Sequence, residues 1–137
     1  MKADDLFRAY QFTQLTLMRN LEGISHDESL QVPEGAENSI NWILGHILTA
    51  RAKMITLAGG TPHWSESEQA LYDPASRAQF LNQPRPLDEL KAALDDSLNR
   101  MESALQTAEP LFMVSTGRPP MFGHDELILH RLLFLAC

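Results

Sequence analysis

Long segments with apolar residues three and four positions apart alternate with polar stretches broken by proline and glycine. From about Ala3 to Glu22, the residues Leu6, Phe7, Tyr10, Thr13, Leu17 and Leu21 fall on one side of a helix, and Gly23 follows as a stop. A second helix is predicted from Asn38 or Ser39, either of which can cap it, to about Ala58, where Gly59-Gly60 ends it. A third follows Pro86 and runs from Leu87 to Ala108. Its stripe is Leu87, Leu90, Leu94, Leu98, Met101 and Leu105, and Asp88 and Glu89 complement the helix dipole in its first turn. A fourth is predicted from about His124 onward.

The connections differ in length. "ISHDESLQVPEGAE" is a polar linker, whereas the stretch from Thr61 to Pro86 is long, irregular and cut by four prolines, with two short helical turns at "SESEQAL" and "PASRAQFL". Two-residue alternation is absent apart from a faint run at "LFMV", residues 111–114. These patterns predict a single all-α domain over residues 1–137, an antiparallel four-helix bundle with a long connection between helices 2 and 3. The closing segment "HDELILHRLLFLAC" is still apolar and helical at its last residue, without a capping signal. The expectation is that the chain is a fragment whose last helix is incomplete.

Charge removes some functions from consideration. Lys and Arg total 11 and the net charge is −7, which argues against nucleic-acid binding and against anionic lipid surfaces. The single cysteine, Cys137, allows no disulfide within the chain, and neither a signal peptide nor an apolar run of membrane-spanning length is present. A cytoplasmic protein without nucleic-acid or membrane partners is expected.

Candidate chemistry centres on "NSINWILGHIL" and its histidine, His46. Ile43, Ile47, Ala50, Met54 and Leu57 cluster on one arc of the second helix, taken as its buried face. His46 flanks that arc, roughly 70° from its middle. A histidine so placed is either a core-edge residue bonded to a carbonyl or a metal ligand, and a ligand needs two or more further donors. The other histidines do not supply them. His26 and His63 lie in polar linkers and read as solvated, while His124 and His130 are six residues apart and share no face. No His-x-x-x-His pair occurs. "GRPP" with Arg118 reads as a turn, and "HWSESE" as a solvated loop rather than a lid over a site.

The segment "NSINWILGHILTAR" (small polar residues, Trp42, then Gly45-His46) resembles the second helix of the DinB/YfiT-like superfamily. "MRNLEGISHDESLQVPEGAENSINW" and "DELILHRLLFLAC" are similar to the run between its first two helices and to the start of its last. The resemblance implies a DinB-like four-helix bundle with a divalent metal, Zn, Ni or Fe, held by three histidines. His46 matches the ligand from the second helix. The other two would come from a His-x-x-x-His motif that follows a segment like "LLFLAC", where this sequence stops. The implied activity is that of a metal-dependent hydrolase or a transferase of low-molecular-weight thiols, acting on a small-molecule substrate, with Asn41, Trp42 and Thr49 as neighbours that shape the pocket. A different class of function stands beside it: a non-catalytic helical module acting through homodimerisation.

Overall fold

A computed structural model describes residues 1–76, 83–118 and 126–136. Among these residues there are six α-helices: α1 Ala3–Asn20, α2 His26–Ser29, α3 Ile40–Leu57, α4 Glu66–Ala70, α5 Leu87–Ala108 and α6 Ile128–Ala136. Two 3-10 turns, Pro74–Ser76 and Glu109–Leu111, interrupt the connections. Four of the helices form the bundle expected from the spacing, and α2 and α4 are short additions within the linkers. Both short helices begin with a capping box. Ser25 and Ser65 accept the N–H of Glu28 and Glu68, and those glutamates accept the serine N–H in return. Of the predicted fourth helix, its start at His124 and the end at Cys137 lie outside the described residues, as do most of the residues of "PASRAQFL".

The chain ends of the helices fix the topology. The Ala3 N–H donates to the Glu109 carboxylate at 2.7 Å, so the start of α1 meets the end of α5. Asn41, at the start of α3, donates to the Arg85 carbonyl just before α5 at 2.9 Å, and Gly60 beyond α3 abuts Ala104 near the end of α5. Helices α3 and α5 are therefore parallel, with α1 antiparallel to both. This corrects the antiparallel order expected from sequence. Parallel neighbours need a crossover, and the long connection from Ala58 to Pro86 provides it. Helix α6 returns alongside α1 and α3, where its Leu132 carbonyl accepts the buried Tyr10 hydroxyl at 2.8 Å.

The core has two halves. At one end Leu6, Tyr10, Ile55, Met101, Leu105 and Leu132 pack together. At the other, Leu44, Leu48, Leu90 and Leu94 pack with Trp42, Trp64 and Tyr72. Aromatic rings from the crossover thus fill the space between the starts of α3 and α5. The run "LFMV" forms no strand: its residues lie in a turn, and the adjoining Ser115 makes an isolated antiparallel bridge to Leu127. No helix among the described residues is long and apolar enough to cross a membrane.

Candidate functional site

Helix α3 is apolar nearly all round, so two arcs compete for the core. The buried one carries Asn41, Leu44, Gly45, Leu48, Ala52 and Ile55 and faces α5 and the crossover. The arc predicted from sequence is the other. On it only Met54 is buried, whereas Ile43 is 44% exposed and Leu57 36%. That arc is the side approached by α6, because Met54 and Leu57 share a hollow with Arg131. His46 lies about 150° round the helix from the centre of the buried arc, and is half-buried. Helix α6 runs from the Leu57 end of α3 towards the His46 end.

The His46 ring is held flat against Trp42, one turn earlier, with centroids 4.9 Å apart and planes within 8°. Its Nδ1 is shielded from solvent and has no hydrogen-bond partner among the described residues. A buried imidazole nitrogen is normally paired, and this one is an exception. Asp73 lies within electrostatic reach. Its carboxyl is held below the usual range first by the Ala75 N–H, then by Lys53 at 3.3 Å, and to a smaller degree by His46. Sequence reading missed Asp73 because it reaches His46 through the fold of the crossover and not through spacing on a helix.

The proposed pocket neighbours Asn41 and Thr49 serve the crossover instead. Asn41 is fully buried, donates to the Arg85 carbonyl and accepts the Tyr72 hydroxyl at 3.1 Å. Thr49 donates to the Gln69 carbonyl at 3.2 Å. Of the three, Trp42 is the one whose ring stacks on His46.

His26 and His130 hold helix starts. His26 Nδ1 accepts the Leu87 N–H at 3.2 Å and caps the start of α5; His130 Nδ1 accepts the Leu127 N–H at 3.2 Å just ahead of α6. His63 is not the solvated linker residue expected. Both its ring nitrogens are shielded, and Trp64 beside it is buried against Tyr72, with ring centroids 5.7 Å apart. Burial pushes the His63 imidazole down to about 4, offset in part by Asp96 and the Leu48 carbonyl. His124 lies outside the described residues.

At mid-bundle, sequence reading also missed a polar cluster. Arg51, 3% exposed, donates to the Gln14 side chain, to Ser97 Oγ at 3.0 Å and to the Leu94 carbonyl at 3.3 Å, and Gln14 donates in turn to Asp95 at 2.7 Å. Burial lowers the pKa of Arg51, and Tyr10 and Asp95 counter this. The available signal was Gln14 sitting four residues after Tyr10, a polar residue within α1's apolar stripe.

The described residues thus form a four-helix bundle with a half-buried histidine on its second long helix. The sequence profile of the DinB superfamily matches residues 9–136, and the chain belongs to that superfamily. No curated protein and no solved structure matches significantly. The superfamily is generally metal-associated. The orphaned Nδ1 and fixed ring of His46 fit one ligand position. The described residues do not fit a whole site, since no group of three or more His, Cys, Asp or Glu among them could hold a metal ion.

Proposed function

We propose that the protein is a metal-dependent enzyme of the DinB type, a hydrolase or a transferase of low-molecular-weight thiols, with His46 as one ligand of a divalent metal. The observation that carries this reading is the shielded, unpartnered Nδ1 of His46 at the end of α3 towards which α6 runs. Trp42 fixes the imidazole plane, which reduces the entropy lost when the ring binds a ligand. A bound divalent metal with an open coordination position would lower the pKa of water or of a thiol.

The test is metal content. The purified native protein is expected to carry close to one equivalent of Zn, Ni or Fe by elemental analysis, and His46→Ala to lose it while keeping its helical circular dichroism. Unchanged metal content in His46→Ala removes the assignment. A second reading, a non-catalytic module acting as a homodimer in the cytoplasm, is supported by exposed apolar residues: Phe12, Leu15 and Ile43. A metal-free native protein that sediments as a stable dimer, and becomes monomeric as Phe12→Glu or Ile43→Glu, favours that reading over the first.

A further inference from the structure

Two turns beyond His46 on α3, the bundle has a second concave site. The segment from Phe112 to Arg118 folds back on the chain just before α6. The Thr116 N–H donates to the Glu126 carbonyl at 2.8 Å, the Ile128 N–H to the Val114 carbonyl at 2.9 Å and the Leu129 N–H to the Phe112 carbonyl at 3.0 Å. This clasp holds Arg118, Glu126 and Arg131 around one hollow of about 340 Å³, with Lys53, Met54 and Leu57 of α3 on its opposite wall. The volume is at the small end of the range for ligand pockets, about 300–1,000 Å³.

Among the described residues, two polar atoms of this hollow have no hydrogen-bond partner. Lys53 is engaged by Asp73 at 3.3 Å. Glu126 Oε1 and Arg131 Nε are shielded from water and have no hydrogen-bond partner among the described residues. A shielded carboxylate oxygen and a shielded guanidinium nitrogen without hydrogen-bond partners are each costly. A ligand with one group of each sign satisfies both. An anion alone would leave Glu126 unmatched and bring a second negative charge beside it.

We propose that this hollow binds a small amino-acid-like zwitterion, its carboxylate held by Arg131 and Arg118 and its ammonium by Glu126. Guanidinium groups suit a carboxylate because their planar fork can donate two parallel hydrogen bonds. Met54 and Leu57 supply an apolar surface for a short aliphatic side chain. The site involves neither His46 nor a metal, so it stands or falls apart from the enzymatic reading.

A matched series of probes tests this by titration calorimetry: L-leucine, its deaminated analogue 4-methylpentanoate and its decarboxylated analogue 3-methylbutylamine. L-leucine is expected to bind, and each analogue to bind about tenfold more weakly or worse, since each loses a charge-assisted contact. Arg131→Gln should weaken L-leucine about tenfold, and Glu126→Gln should bring L-leucine to the level of 4-methylpentanoate. If Arg131→Gln does not fold, the exposed Arg118→Gln is read in its place, with a smaller loss expected. No binding of L-leucine at tens of millimolar, or equal binding of L-leucine and 4-methylpentanoate to the unmodified protein, overturns the proposal.

Discussion

Gly45 lacks a side chain because the Tyr72 ring occupies the place where one would be. A Cβ built there overlaps Cγ, Cδ1 and Cε1 of that ring. Tyr72 cannot swing aside cheaply, since its hydroxyl donates to Asn41 and accepts the Arg85 N–H at 2.8 Å. Two effects oppose each other in Gly45→Ala. Helix propensity favours alanine by about 1 kcal/mol, whereas overpacking in a filled core costs about 1–3 kcal/mol, and an anchored ring places this site at the upper end. Gly45→Ala is therefore expected to destabilise by a net 1–2 kcal/mol, roughly, measured as a lower urea midpoint at unchanged slope. An increase in stability would show that the ring yields. Thus the glycine beside His46, which sequence alone presents as part of a Gly-His pair, is explained by packing.

Between elements, the Tyr72 hydroxyl ties the crossover to the starts of both parallel helices. Tyr72→Phe removes two hydrogen bonds and leaves the Arg85 N–H and Asn41 Oδ1 without that partner. The expected cost is about 1–3 kcal/mol, read from chemical denaturation, with faster amide exchange at Arg85. A loss below about 0.5 kcal/mol would mean that water replaces the hydroxyl freely. This contact also marks the limit of what the sequence discloses. The stripes of α1 and α5 are legible because each helix buries a single face: Leu6 and Tyr10 in one, Leu87, Leu90, Leu94, Met101 and Leu105 in the other, are all buried. Helix α3 is not legible in this way. It packs against α5, α4, α2 and α6, so it is apolar all round and periodicity cannot rank its arcs. His46 itself was legible as the candidate. Asp73, the role of Asn41 and the burial of His63 were not, because each depends on how the irregular crossover folds back over α3.

Across the whole molecule, the crossover is what permits α3 and α5 to lie parallel, and His63 is a titratable group packed within it. Its neighbours on α5 are Asp96 and Arg100; Arg100 donates to the Thr61 and Pro62 carbonyls at 3.2 and 3.4 Å and is paired with Asp96 at 3.0 Å, while Arg51 of α3 adds a second positive influence. Burial pushes the folded imidazole down to about 4 from its ordinary 6.5. Between those values the unfolded chain binds more protons than the folded one, so stability rises with pH across the window. The His63 contribution is complete above 6.5 and is lost progressively as pH falls towards 4. The full shift corresponds to about 3 kcal/mol, and partial solvent access reduces this to roughly 1–2 kcal/mol. Carboxylates add their own acid dependence, so the measurement is a difference: the fall in unfolding free energy from pH 7 to pH 4.5 in the unmodified protein, minus the same fall in His63→Gln. A difference of about 1 kcal/mol or more is expected, with the variant the flatter of the two. Parallel curves for the two proteins would mean that the imidazole charges in the folded state without cost, and that the packing of His63 and Trp64 between α3 and α5 does not exclude water from the ring.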